Sequence, residues 1–265
     1  MKTNIFIQPF LDMRKHPLLT LSVVLVQLVL AFLLLFVMLH FQTRMLESSS
    51  RIMDYVNSVN QDAIDADTPV RGFLGNDPLL IGRELRAMWT LLLYELVSVL
   101  ALVIIGGSIV WTMTHRIVHV CKFKVVMRMF VRGLALYGIA LIPISVIGVL
   151  LMRWLGFSSL FAEAQLLGFF AVLGALLIIV LYFLYLALVQ LDSPSLLQVW
   201  KKLWKRRNHV RVLAVYALVL VLIAIPLFII VYFETMLISL LFVFFILVGF
   251  VLLYGRLFMI RVLRI

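Results

Sequence analysis

The stretch Ser193-Pro-Ser-Leu-Leu-Gln-Val-Trp-Lys-Lys-Leu-Trp-Lys-Arg-Arg207, followed by an apolar run from Val210 to Phe233, decides how the chain is read. Asp192 or Ser193 suits a helix cap, and Pro194 fits the first helical position, where no backbone N–H is needed. Leu196, Leu197, Trp200, Leu203 and Trp204 recur as one helical face. Lys201, Lys202, Lys205 and Arg206 fall largely opposite, and Arg207 follows. A Trp/Leu face against a Lys/Arg face predicts a helix lying in the membrane interface, rings at headgroup level and cations on lipid phosphates. The plainer alternative is a basic loop that only sets topology. The run after it is long enough to cross a bilayer.

Working outward, the same device recurs. The chain has 265 residues, 65% hydrophobic, with a mean hydropathy of +1.18. Soluble domains are nearer half apolar. Apolar runs predict six spans, about 18–40, 88–112, 133–151, 164–189, 210–233 and 236–254. The first run is too long for a signal-peptide core and lacks a small-residue cleavage site, so it is read as an uncleaved span. Basic segments precede three of the spans. Residues 1–16 carry Lys2, Arg14 and Lys15 among Ile5, Phe6, Ile7, Phe10 and Leu11. Residues 113–132 carry Arg116, Lys122, Lys124, Arg128 and Arg132 and are read as a second interfacial helix. The expected fold is all-α: six transmembrane helices with cytoplasmic interfacial amphipathic helices, in one membrane domain over 1–265.

Residues 41–87 form the long polar segment. Met45, Ile52, Val56 and Val59 recur at near-helical spacing, so the first helix is expected to continue beyond the membrane until Asp67-Thr-Pro69 breaks it. Gly75-Asn-Asp77-Pro78 reads as a turn and a helix start. If the N-terminus is cytoplasmic, every Lys and Arg of the 23 lies inside except Arg44, Arg51, Arg71, Arg83, Arg86 and Arg153. That bias predicts a multi-pass protein of the cell membrane with both termini in the cytoplasm. It also explains the net charge of +11 without nucleic acid.

An internal echo supports a repeat. Arg132-Gly-Leu-Ala-Leu-Tyr137 opens the third span and Arg211-Val-Leu-Ala-Val-Tyr216 opens the fifth. Pro143 and Pro226 follow at offsets one helical turn different, so both can kink their spans on a similar face. Three units are expected, about 1–112, 113–190 and 191–265, as a three-fold hairpin repeat with the first diverged. Chance likeness among apolar helices is the alternative.

The chemistry-bearing residues are few. Glu95 lies inside the second span, with Tyr94 and Ser98 near it; an ionisable group there is a functional hypothesis by default. Arg153, from the neighbouring outer turn, is its expected partner, and a packing role is the alternative. His115 and His119 have a metal-compatible spacing, but no carboxylate is near and Cys121 points elsewhere, so no metal is expected. Cys121 is the single cysteine, which excludes an internal disulfide. Gly106-Gly107-Ser108 permits close helix packing and lacks the lysine of a phosphate loop. No catalytic motif or cofactor signature is present.

The segment Trp200 to Arg211 leading into the fifth span, and its echo at Lys122 to Arg132, resembles the membrane domain attached to some glycerophosphodiester phosphodiesterases and related six-span prokaryotic proteins. The resemblance implies the six-span fold and a lipid-facing role. The chain carries no phosphodiesterase domain, so no activity is implied. The expected function is non-enzymatic: binding of membrane lipids with anionic headgroups, or of a membrane partner or second copy, through Trp200, Lys201, Lys202, Trp204, Lys205, Arg206 and Arg207 with Lys122, Lys124 and Arg128. The outer segment 41–87 would carry specificity. The competing expectation is a small-solute or ion transporter using Glu95.

Overall fold

The computed structural model describes residues 7–65, 79–119, 122–157, 163–191, 217 and 238–264. Among these every element is helical: α1 (Gln8–Lys15), α2 (Pro17–Asp65), α3 (Leu80–Val118), α4 (Phe123–Phe157), α5 (Glu163–Val189) and α6 (Ile238–Arg264). The helices α2, α3 and α4 each contain a segment long and apolar enough to cross a membrane. The chain is therefore a membrane protein by length and composition of its helices. The opening stretch, Ser193 to Arg207, and the fifth span apart from residue 217 lie outside the described residues, as do Tyr216 and Pro226.

Several expectations match well. The fourth apolar run and α5 nearly coincide. The first helix does continue past its apolar run, as α2 reaches Asp65. One expectation needs correction. Residues 113–132 do not form a separate helix: 113–118 are the last turns of α3, and 123–132 are the first turns of α4. Continuity has a physical reason. Each helix end leaves up to four carbonyls or N–H groups without intrahelical partners, and extending two existing helices creates fewer ends than inserting a third.

The chain divides into two compact units, one of Met1–Leu30 with Val103–Ile265, the other Ala31–Leu102. In the first, α4 packs on α5, α1 on α6, and α5 on α6. Its interior has two apolar clusters. Trp111, Met129, Leu184, Leu186, Leu188, Met259 and Ile260 make one. Val23, Val24, Val110, Ile117, Leu253 and Leu257 make the other. Both draw on α3 and α6, which are central. Most of the unit's buried side chains come from the start of α2, the end of α3, the start of α4 and the ends of α5 and α6. In lipid, apolar side chains gain little by leaving the tails, so helices hold together by close packing and interhelical polar contacts. Small residues show this. A Cβ at Gly106 would overlap the Leu30 side chain, and one at Gly107 would overlap the Tyr137 ring. A Cβ at Gly133 would stand 3.1 Å from that of Ser108. The Gly106-Gly107-Ser108 step thus allows α2 and α4 to approach α3 closely.

The second unit pairs the rest of α2 with the first half of α3. Glu84 is buried and meets Arg51 at 3.6 Å.

Candidate functional site

The first unit gathers its polar side chains where the buried ends of the helices meet. Asp12, on α1, is 5% exposed. Arg261, on α6, grips it with two parallel hydrogen bonds, Nε to Oδ2 at 2.9 Å and Nη2 to Oδ1 at 2.8 Å. Planar guanidinium and carboxylate groups match in this fork, which is why the pair is directional as well as attractive. It fixes the first described helix to the last. Phe10 and Tyr254 add an aromatic contact at 4.7 Å between centroids.

A second arginine of α6, Arg256, points among aromatic rings. Its guanidinium stands over Trp111 at 5.7 Å, with the Tyr137 and Tyr185 hydroxyls nearby. With the Gln27 amide oriented as hydrogen bonding requires, Nε2 donates to the Gly249 carbonyl at 2.9 Å and Oε1 accepts from Arg256 Nη1. Gly249 lies two turns before Arg256 and keeps α6 close to α2, because a Cβ there would be 3.3 Å from Val24 Cγ1. No carboxylate lies beside Arg256 among the described residues; the rings, the tyrosine dipoles and an amide oxygen stabilise the charge instead.

The C-terminal end of α5 is held by side chains from other helices. His115, fully buried on α3, is hydrogen-bonded through Nε2 to the Leu188 carbonyl at 3.0 Å. Arg132 of α4 donates to the Leu191 carbonyl at 3.4 Å. Cationic and N–H donors at a helix C-terminus meet both its orphan carbonyls and its dipole. Ser108, Thr112 and Thr114 satisfy their own buried hydroxyls on carbonyls of the same helix. Among the described residues no group of three or more His, Cys, Asp or Glu could hold a metal.

The surface beside this polar knot is cationic and apolar. On α1, Ile7, Phe10 and Leu11 are exposed next to exposed Arg14 and Lys15, while Asp12 turns inward. At the start of α4, Phe123 is 78% exposed, with Val125, Met127 and Val131 also exposed. Lys122, Lys124 and Arg128 share that exposure. Trp200, Lys201, Lys202, Trp204, Lys205, Arg206 and Arg207 are outside the described residues. Glu95 is half-buried in the second unit beside a well-exposed Tyr94. Arg153 is in α4, and its side chain, and with it the expected Glu95–Arg153 pair, lies outside the described residues.

Sequence reading missed Asp12, Arg256 and Arg261 as partners and counted them only as charges. Asp12 is the only acidic residue in the first sixteen, and Gly249, Arg256 and Ile260 share a helical face, so a signal was present without a partner to match it. Comparison with protein-family models, with curated proteins and with solved structures finds no match.

Proposed function

We propose that the chain is a six-span protein of the cell membrane, with both termini cytoplasmic, that binds anionic lipid headgroups through the cationic ends of its helices and has no enzymatic activity of its own. A membrane protein partner, or a second copy of the chain, is the alternative occupant of the same surface. The observation that carries the reading is the sequestration of Asp12. Its carboxylate is tied to Arg261, which leaves the exposed part of α1 with only apolar side chains and the cations Arg14 and Lys15. The start of α4 offers the same chemistry through Phe123, Lys122, Lys124 and Arg128. Exposed apolar side chains beside cations suit the boundary between acyl chains and headgroups. The Asp12–Arg261 link brings an early and a late helix together at one end, which is consistent with an even number of crossings.

Each Lys or Arg at an anionic membrane surface contributes about 1 kcal/mol. Replacing Lys122, Lys124 and Arg128 together by glutamine is therefore expected to weaken binding of phosphatidylglycerol by up to about 100-fold. The measurement is native mass spectrometry of the full chain with increasing phosphatidylglycerol, repeated with Lys201, Lys202, Lys205, Arg206 and Arg207 replaced. Undiminished retention in both variants would overturn the lipid reading. A protein retained in fixed stoichiometry, with no bound lipid, would favour the partner.

A further inference from the structure

In the second unit, α2 and α3 enclose an open cleft of about 530 Å³ lined by Arg44, Glu47, Ser48, Arg51, Ala87, Thr90 and Leu91. Its chemistry is mixed in an ordered way. Arg44, Glu47, Ser48 and Arg51 occupy one face of α2, at the three- and four-residue spacing of neighbouring turns. Ala87 and Leu91 give α3 a small apolar floor. Arg51 is positioned by its contact with buried Glu84 at 3.6 Å. Ser48 is buried in the cleft wall at 6% exposure. The Thr90 hydroxyl donates to the Arg86 carbonyl at 2.9 Å, which leaves its oxygen able to accept a hydrogen bond. Arg44 and Glu47 form no ion pair among the described residues, although both are close along the helix.

The position of the cleft narrows the ligand. From Leu18 to Phe41 the apolar run of α2 spans about 36 Å at the usual helical rise. A bilayer core is about 30 Å thick, and each headgroup layer adds roughly 5–8 Å. Arg44 lies about 4.5 Å beyond Phe41 along the axis, within the headgroup layer. The apolar run of α3 begins at Met88, next to Ala87 of the cleft floor. At the same rise Glu47 stands about 9 Å and Arg51 about 15 Å beyond Phe41, so Arg44 is the guanidinium level with a lipid phosphate, which it can grip with two parallel hydrogen bonds. Glu47, one turn further out, would repel a purely anionic ligand, but it complements one that carries an ammonium beyond its phosphate.

We propose that this cleft binds the headgroup of a zwitterionic phospholipid of the ethanolamine type, with Arg44 on the phosphate and Glu47 on the ammonium, while Arg51 at the outer rim is paired with Glu84. The site rests on the reading of α2 and α3 as membrane spans and is independent of the basic surface formed by α1 and α4. Selectivity follows from the charge order: phosphatidylglycerol offers the phosphate to Arg44 and leaves Glu47 facing a hydroxyl, while inorganic phosphate offers its charge to Arg44 and nothing to Glu47.

The test is native mass spectrometry of the full chain, incubated separately with short-chain phosphatidylethanolamine, short-chain phosphatidylglycerol and inorganic phosphate. The wild type is expected to retain phosphatidylethanolamine at least about tenfold more tightly than phosphatidylglycerol. Glu47→Gln is expected to erase that preference while still binding both lipids. Arg44→Gln is expected to lower retention of both by about tenfold. Lys122→Gln with Lys124→Gln and Arg128→Gln is expected to leave the ethanolamine preference intact, which separates this site from the basic surface. Equal retention of both lipids by the wild type overturns the assignment. So does retention insensitive to Arg44→Gln and Glu47→Gln in protein that keeps the wild-type unfolding midpoint. Loss of lipid at low concentrations of inorganic phosphate identifies a soluble-anion site and overturns the lipid assignment.

Discussion

At the residue scale, the Asp12–Arg261 pair has the clearest energetic consequence. Asp12 is nearly enclosed while Arg261 keeps part of its surface in contact with its surroundings, its side chain being 32% exposed. Removing the carboxylate strands a guanidinium that is only partly hydrated, whereas removing the guanidinium strands a buried anion. Arg261→Ala is therefore expected to cost more than Asp12→Ala, with both in the range of about 1–4 kcal/mol. Denaturation in mixed micelles would measure each, and a double-mutant cycle would give a coupling of about 1–3 kcal/mol. Additive losses would show that the two side chains do not act as a pair. Gly107 makes a different claim. Its missing Cβ is the space that the Tyr137 ring fills, so Gly107→Ala is expected to destabilise the bundle by about 1–3 kcal/mol through overpacking. Gly148 has nothing within reach of a Cβ, and Gly148→Ala on the same helix bundle serves as the neutral comparison. A Gly107→Ala protein that unfolds at the same point as the Gly148→Ala protein would contradict the close approach of α3 and α4.

At the element scale, α5 ends where its neighbours supply donors. Val189 is its last helical residue, and the backbone closes with Gln190 N–H on the Ala187 carbonyl at 3.1 Å. His115 and Arg132 come from α3 and α4, so the end of α5 is specified by other helices. Replacing His115 by leucine removes the donor to the Leu188 carbonyl in a buried setting, at an expected cost of about 1–3 kcal/mol. Hydrogen exchange is the local readout: amides over 187–191 should exchange faster in His115→Leu, while those in the middle of α2 stay protected. Uniform acceleration throughout the protein would mean global loosening and no capping role. The fate of residues 113–132 belongs to this scale as well. Their basic and apolar alternation is real, but a bend near His119 divides it between two long helices. The charged residues keep their exposure, and the element expected to carry them is absent.

At the scale of the whole molecule, the single cysteine offers a direct check of topology. With both termini cytoplasmic and six spans, Cys121 belongs to the cytoplasmic side. A membrane-impermeant maleimide is expected to label it in inside-out vesicles and not in right-side-out ones. The reverse pattern would invert the proposed orientation. Polarity is placed at two depths. His115, Arg132 and the Asp12–Arg261 pair sit near helix ends, whereas Gln27, which accepts from Arg256, lies near the middle of the apolar run of α2, where enclosing charge costs most.

Composition, apolar run length and charge asymmetry sufficed for the all-helical membrane class, the positions of the long helices and the extension of α2. These are local properties: a backbone in lipid must satisfy its own hydrogen bonds, and a helix does so with no reference to its neighbours. The Gly106-Gly107-Ser108 step was also legible, because small residues have one common use between packed helices. Which helix met that step was decided by tertiary structure, and so were the pairing of Asp12 with Arg261, 249 positions away, the enclosure of Arg256 by Trp111, Tyr137 and Tyr185, and the cleft between Arg44 and Leu91. An arginine near a span end reads identically as a topology signal, a buried clamp or a ligand contact. Only the partner brought to it by packing distinguishes these roles, because the energy of a charge depends on what surrounds it and hardly at all on its place in the chain.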